Sequence, residues 1–303
     1  MSEMVESQRW PRISIVTPNY NQAPYLEQTI LSVLSQGYPQ LEYIVIDDGS
    51  TDNSLEIIHK YSDCLAYSTT RPNKGQYATI NEGFARSTGE IMAWLNSDDM
   101  YLPGAFSVVA EIFSAHPDVE WLTTTLPVGW NEQGQAVAVA DLQGFNRSSF
   151  FRGANLPAGR HYTRGCIQQE STFWRRSLWE RAGGKLETSV TLAADFELWA
   201  RFYLHGELYG VNALLGGFRF RKGQNTDRYF RQYVEEAESA LRRHGGRPYG
   251  RIQAAFRTRI ASRIQPVLRH VPFMRALQLL VPAKIWQHSG RGGSWVLTDR
   301  IIV

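Results

Sequence analysis

Short β-branched runs alternate with helix-length segments from Arg12 to Thr124, and this alternation constrains the fold more than any other feature of the chain. Arg12–Pro18 (RISIVTP) reads as a strand stopped by proline. Pro24–Gln36 has helical spacing, with Leu26, Ile30, Val33 and Leu34 on one face and Gly37 past its end. Leu41–Asp48 (LEYIVIDD) is a nearly unbroken apolar run, as a strand covered on both faces requires. Thr51 or Asp52 can cap a helix reaching Lys60. A weaker strand is expected at Cys64–Ser68, a helix from about Gly75 to Arg86 and a strand at Glu90–Asn96. A helix opened by Pro103 should run to about Ala115, with a strand at Val119–Thr124. Such alternation with short loops predicts βαβ units, hence an α/β fold with a mostly parallel sheet. After an irregular stretch, 126–164, a strand is expected at Ile167–Trp174 and a helix at Leu192–Tyr203. Beyond Arg228 the reading is helical, with breaks at Gly245–Gly246, Pro266 and Gly290–Gly293.

In such a sheet, ligands bind outside the carboxyl ends of the strands, which singles out Thr17–Asn21, Asp47–Ser50 and Asn96–Asp99. Asp98 and Asp99 would repel each other there unless a cation neutralised them, and carboxylate oxygens suit Mg²⁺ or Mn²⁺. A turn capping the next helix would use the same two residues. Asp47 and Asp48 can accept hydrogen bonds from a ribose hydroxyl or a base N–H, or cap the helix after Gly49. Neither a G-x-G-x-x-G fingerprint nor a P-loop follows the first strand, which argues against an NAD-dependent oxidoreductase and a P-loop ATPase. Asp195 stands near a predicted helix start, beside the face of Leu192, Phe196 and Trp199, as a dipole partner or a general base. His161, Arg164, Gln168, Gln169 and Glu170 cluster polar groups in a β-like stretch. That suits a polyhydroxylated ligand or a solvated edge strand.

Hydrophobic residues make up 43% of the chain, enough to exclude a mainly disordered protein. No apolar run reaches the ~20 residues of a membrane helix. The N-terminal MSEMVESQRW has no apolar signal-peptide core, and Cys64 and Cys166 make neither a disulfide framework nor a four-ligand zinc set. A cytoplasmic location is expected. The nine tryptophans are read mainly as core. Residues 247–303 carry a net charge of +9, leaving −6 for the rest. Phe273, Met274, Leu277, Leu280 and Val281 in that tail suit peripheral contact with an anionic membrane. Alternatively the arc of Ile252, Phe256, Ile260 and Ile264, with Arg259 and Arg263 beside it, packs on the body of the protein or forms a dimer contact.

TPNYNQAPYLEQTILSVLSQGYPQLEYIVIDDGSTDNS and NKGQYATINEGFARSTGEIMAWLNSDD, followed by QQESTFWRRSLWERAGG and LAADFELWARF, resemble the family 2 glycosyltransferases of GT-A fold over residues 12–226. The resemblance implies a Rossmann-like nucleotide-diphospho-sugar transferase fold and an inverting, metal-dependent enzyme. Thr17, Pro18, Asn19, Tyr20 and Asp48 match positions that hold the nucleotide, and Lys74, Gln76, Asp98, Arg219 and Arg221 join the donor side. Asp99 matches the likelier ligand of Mn²⁺ or Mg²⁺, and Asp195 the catalytic base. Gln168, Gln169, Glu170 and Trp199 fall in acceptor-side segments. The chain departs from the pattern at Asn96, where Asp is common, at Ala194, where Glu is common, and at Arg221, where His is common.

The expected organisation is a flexible N-terminus over 1–11, a GT-A catalytic domain over 12–226 and a basic helical extension over 227–303. The expected reaction moves a sugar from a nucleoside-diphosphate sugar to a hydroxyl of a glycan or lipid-linked glycan, in surface polysaccharide assembly, with no nucleic-acid partner. A carboxylate must take the hydroxyl proton, and a cation stabilises the leaving diphosphate. A non-catalytic sugar- or nucleotide-binding module on the same fold is the alternative. A sugar nucleotidyltransferase would need a glycine-rich basic loop after the first strand, which TPNYNQ does not provide.

Overall fold

The computed structural model describes residues 10–157, 165–224, 228–256 and 281–302. Its first half keeps the expected alternation, although the third strand begins three residues later than expected, behind a 3₁₀ turn at Ser62–Cys64, and the short β5 was not foreseen: β1 (Ile13–Asn19), α1 (Ala23–Leu34), β2 (Leu41–Asp47), α2 (Ser54–Lys60), β3 (Tyr67–Thr70), α3 (Gln76–Arg86), β4 (Ile91–Trp94), β5 (Met100–Tyr101), α4 (Ala105–Ala115) and β6 (Trp121–Thr124). Then come β7 (Val128–Trp130), β8 (Ala136–Val139), α5 (Arg147–Phe151), β9 (Phe173–Arg175), α6 (Arg176–Arg181), α7 (Ala194–His205), β10 (Leu208–Val211) and β11 (Gly216–Arg219). The last elements are α8 (Phe230–Arg243), α9 (Arg251–Phe256), β12 (Val281–His288) and β13 (Trp295–Ile302).

Nine strands form one sheet in the order β13-β12-β10-β6-β9-β4-β1-β2-β3. Only β9 and β13 run against the common direction. β1 pairs in parallel with β2 and β4, and every one of its residues is buried. That is why its sequence, and that of β2, is apolar rather than alternating. Packing of α3 on β1 depends on Gly83, where an added Cβ would lie 2.4 Å from a Val16 methyl. Six of the nine tryptophans are buried. Trp94, Trp121 and Trp199 stack at 5.6–6.0 Å in the core beside the sheet.

A second sheet, β5-β11-β7-β8, lies over that end and contains most of the ordered structure in the stretch read as irregular. Three expectations need correction. Ile167–Trp174 is not one strand: Gln169–Ser171 forms a 3₁₀ turn and only Phe173–Arg175 pairs. The glutamines satisfy backbone groups of the two sheets instead, Gln168 Nε2 donating to the Val128 carbonyl (2.9 Å) and Gln169 Nε2 to that of Trp94 (2.7 Å). The tail is not helical throughout. β12 joins the main sheet beside β10, and the Gly290–Gly293 break is the loop of a β12–β13 hairpin, with Ala283 and Ile285 buried on one strand face. Residues 257–280, with most of the expected membrane-facing side chains, lie outside the described residues. The flexible N-terminus was expected to reach residue 11, yet Trp10 packs edge-on against Tyr38 at 5.7 Å and the Pro11 carbonyl accepts from Tyr38 (2.6 Å). Residues 1–9 are not among the described residues. No helix among the described residues is long and apolar enough to cross a membrane.

Gly83→Ala tests the α3–β1 contact. Alanine should stabilise a helix interior by about 0.8–1 kcal/mol, but overpacking a core costs about 1–3 kcal/mol. A net loss of stability is expected in urea denaturation, relieved when Val16→Ala is combined with it.

Candidate active site

Three strand ends meet under the second sheet. Asp47, at the end of β2, fixes the first two. It accepts from Asn19 Nδ2 (2.8 Å), Ser50 N–H (3.0 Å), Ser50 Oγ (2.5 Å) and Thr70 Oγ1 (2.8 Å). Burial opposes its ionisation, but these hydrogen bonds outweigh that and hold its carboxyl below the usual range. Gly49 turns the chain at φ +82°, a conformation side-chain-bearing residues rarely adopt. Asp48, just before that turn, accepts from Arg71 (2.5 Å) and from the Lys74 and Gly75 N–H groups (both 2.9 Å). Arg71 also binds Glu82 at 2.7 Å.

The turn after β4 carries Asn96, Ser97, Asp98 and Asp99, and Arg219 of β11 pins it. Its N–H donates to Asp99 Oδ1 (2.8 Å) and its Nε to the Asp98 carbonyl (2.5 Å). The rest of the guanidinium donates to the Glu132 carbonyl (2.9 Å) and Gln28 Oε1 (2.8 Å), with Tyr25 stacked 5.1 Å away. Arg219 is fully buried, whereas Arg221 is only partly so and donates from Nε to Asp98 Oδ2 at 2.7 Å.

Two adjoining cavities result. One, of about 310 Å³, is lined by Pro18, Asn19, Tyr20, Asp48, Gln76, Asp98 and Arg221, together with Gly75 and Thr79 at the start of α3. The other, of about 510 Å³, has Trp94, Gln168, Gln169, Glu170 and Asp195 among its lining, with apolar walls from Tyr77, Leu142, Ile167, Leu192 and Phe220. Gln76, Asn96 and Phe218 line both. Gln76 Nε2 donates to Asn96 Oδ1 (2.8 Å), and Asn96 Nδ2 donates to Asp99 Oδ2 and Gln169 Oε1 (both 3.2 Å).

Asp195 lies in the first turn of α7. Its Oδ1 is buried without a hydrogen-bond partner among the described residues, while Tyr233 reaches Oδ2 at 3.4 Å. Burial raises its carboxyl to about 6, against the pull of hydrogen bonds from the Phe196 N–H and Tyr233. Glu170 is buried, with Oε1 likewise unpartnered among the described residues. Burial, with the charges of Asp195 and Asp98, pushes it up to about 8. Asp99 is raised by burial first and then by Asp98 and Glu170. The site is thus short of positive charge around three carboxyls.

Five expected residues stand elsewhere. Thr17 is buried in β1 with Oγ1 3.0 Å from the Tyr43 hydroxyl. Lys74 is exposed and serves Asp48 through its backbone. Arg219 has its donors taken by protein, so the cation facing the first cavity is Arg221. Asp99, expected as the metal ligand, is 1% exposed with both oxygens occupied, so Asp98 is the aspartate of the pair that faces the cavity. Trp199 is 1% exposed in the aromatic core, and Trp94 takes the wall position instead. His161 and Arg164 lie outside the described residues. Sequence reasoning missed Arg71, Tyr77, Tyr233 and the hub role of Asn96. A cation directly after the third strand was the available signal for Arg71.

Asn96→Asp would replace a donor to Asp99 by a third like charge. A stability loss of about 1–3 kcal/mol is expected near pH 7.5, the cost of an unsatisfied buried group. The deficit should shrink toward pH 5, because a carboxyl whose folded-state pKa is raised loses stability as pH rises. Urea denaturation of both proteins across that range checks the sign.

Residues 14–180, more than half of the chain, match the model of glycosyl transferase family 2. An uncharacterised glycosyltransferase of Nostoc sp. is 40% identical over 106 residues, covering 34% of this chain and 33% of that one. The putative teichuronic acid biosynthesis glycosyltransferase TuaG of Bacillus subtilis is 35% identical over 94 residues, covering 30% of this chain and 37% of its own. The chain thus spans only about a third of the length of such relatives. Among solved structures, Staphylococcus aureus TarS 1–349 in complex with UDP-GlcNAc superposes with a TM-score of 0.60 at 17% identity, covering 84% of this chain and 78% of that one. The mannosyltransferase PcManGT of Pyrobaculum calidifontis, in complex with GDP-Man and Mn²⁺, gives 0.57 at 17% identity, covering 88% and 76%. Both are similar to this chain in fold, the GT-A fold of nucleotide-sugar transferases. Because the family model covers more than half of its length, the chain belongs to glycosyl transferase family 2.

Proposed function

We propose that this glycosyltransferase moves a sugar from a nucleoside-diphosphate sugar to an acceptor hydroxyl in one inverting displacement, in the assembly of a surface polysaccharide. The observation that carries this reading is the wall of Gln76, Asn96 and Phe218 shared by the two cavities, with Asp98 and Arg221 on one side and Asp195 on the other. In the donor cavity the half-exposed Tyr20 ring offers a stacking face for the base. Asn19 Oδ1, buried without a hydrogen-bond partner among the described residues, offers an acceptor for a base N–H. Arg221 stands where it can bind the diphosphate. The similarity to TuaG supports a cell-surface polymer as the product.

A divalent cation fits the site. No group of three or more His, Cys, Asp or Glu side chains poised for a metal occurs among the described residues. Mg²⁺ or Mn²⁺ held by one or two carboxylates, with phosphate and water oxygens completing the shell, needs none. Asp98 would hold it, since its Oδ1 takes no hydrogen bond from the described residues and burial among negative charges already raises Asp99 and Glu170. When bound, such an ion would neutralise charge on the departing diphosphate.

Asp195 takes the proton of the acceptor hydroxyl as that oxygen bonds to the anomeric carbon. The bond from that carbon to the diphosphate oxygen breaks on the opposite face, so the configuration inverts. Burial suits Asp195 to this task, because a base titrating near 6 is ionised at neutral pH yet more basic than an exposed aspartate. Gln168, Gln169 and Glu170 line the same cavity and would orient the acceptor.

Asp195→Asn should lower transfer by roughly 10² to 10⁴ while leaving donor affinity intact. In the unaltered enzyme, turnover should climb with pH through about 6, as the base must lose its proton to act. Rate–pH profiles and donor titration with a panel of UDP-, GDP- and dTDP-sugars check both. Near-normal turnover in the variant would remove Asp195 from the mechanism.

A further inference from the structure

The chain entering α7 has no local cap. The N-cap position is Ala193, with no side-chain hydrogen bond, where an acceptor such as Ser or Asp is usual. The missing acceptor comes from another helix. Glu236 of α8 accepts at Oε2 from three consecutive backbone N–H groups, those of Thr191 (3.0 Å), Leu192 (2.8 Å) and Ala193 (3.1 Å). Gln232, one turn earlier, donates to its Oε1 at 2.9 Å and fixes the carboxylate plane. Tyr233, three residues before Glu236 and so on the same helix face, reaches Asp195 Oδ2 at 3.4 Å. The buried side of α8, including Val234, Ala237 and Leu241, anchors the helix to the body.

We infer that Glu236 is a positioning residue for Asp195: its carboxylate clamps the Thr191–Ala193 backbone from α8 and so sets where the base sits in the acceptor cavity. The inference rests on the assignment of Asp195 as base. Three donors on one oxygen exceed what a surface ion pair provides, and charge-assisted hydrogen bonds of this kind are the strong ones. Burial opposes the charge on Glu236, but the Leu192, Gln232, Ala193 and Thr191 donors outweigh it, so the carboxyl stays below its usual range and ionised while Asp195 titrates. The other titratable groups facing Asp195 are Tyr77 of α3, Cys166 and Glu170 before β9, and Tyr233 of α8. Among the described residues none of these carries a positive charge, which sets the sign expected of a change at position 236. Loss of its negative charge, and release of N–H groups it had saturated, both favour ionised Asp195.

The test uses the full chain with Glu236→Gln, Glu236→Asp and the unaltered protein. Asp195 is followed by carboxyl-carbon NMR titration with no substrate present, and transfer is measured with whichever sugar nucleotide of the UDP, GDP and dTDP panel the enzyme turns over. Glu236→Gln should move the Asp195 titration to lower pH by about half a unit or more. It should also cut kcat about tenfold with donor KM unchanged. Glu236→Asp, which keeps the charge, should keep the titration closer to that of the unaltered protein. An unmoved Asp195 titration in Glu236→Gln overturns the inference, whether transfer is normal or falls only with the amount of folded protein. If the unaltered enzyme transfers no sugar, the base assignment fails, and the titration still decides whether the clamp exists.

Discussion

Arg219 is the interaction on which the rest of the site depends. A fully buried guanidinium is tolerable only when its nitrogens find acceptors, and here each of the three does: they tie α1, the Asp98 carbonyl and the β7–β8 loop to β11, whose own backbone holds Asp99. One side chain thereby fastens the small sheet over the carboxyl end of the large one. Without that closure the turn after β4 would be an open strand end. With it, Asp98 faces one cavity, Asn96 lies in the wall between two, and Asp99 is sealed beneath.

The electrostatics follow from the same closure. Asp99, Glu170 and Asp195 are all raised, and in each case burial is the first cause. Asp47 is lowered: burial opposes its charge too, but hydrogen bonds from Ser50, Asn19 and Thr70 outweigh it. The difference separates a carboxylate that holds the fold together from carboxylates left available for chemistry. It also shows why Asn96 suits this chain. An amide can donate to Asp99 and Gln169 while accepting from Gln76, and a carboxylate there could not.

The parallel strands were legible because fully covered strands leave continuous apolar runs, and their carboxyl ends then located Asp48, Asp98 and the Tyr20 loop. The small sheet was not, since β5 and β7 have two and three residues, too few to show a period, and their partner β11 is far along the chain. The β12–β13 hairpin hid because Ile285 and Trp286 are buried side by side, which breaks strict alternation. At the site, residue type gave chemistry but not depth. Arg219 and Arg221 look alike in sequence, as do Asp98 and Asp99, and only burial tells which of each pair faces a ligand. Glu236 had no local signal, because its partners lie more than forty residues earlier.

The central claim is that donor and acceptor meet across the wall of Gln76, Asn96 and Phe218. A crystal structure with an intact nucleotide sugar and Mn²⁺ tests it most directly. The account predicts the diphosphate beside Asp98 and Arg221, with the anomeric carbon opening toward Asp195. A nucleotide sugar bound outside these two cavities, or one whose anomeric carbon faces away from Asp195, would contradict it.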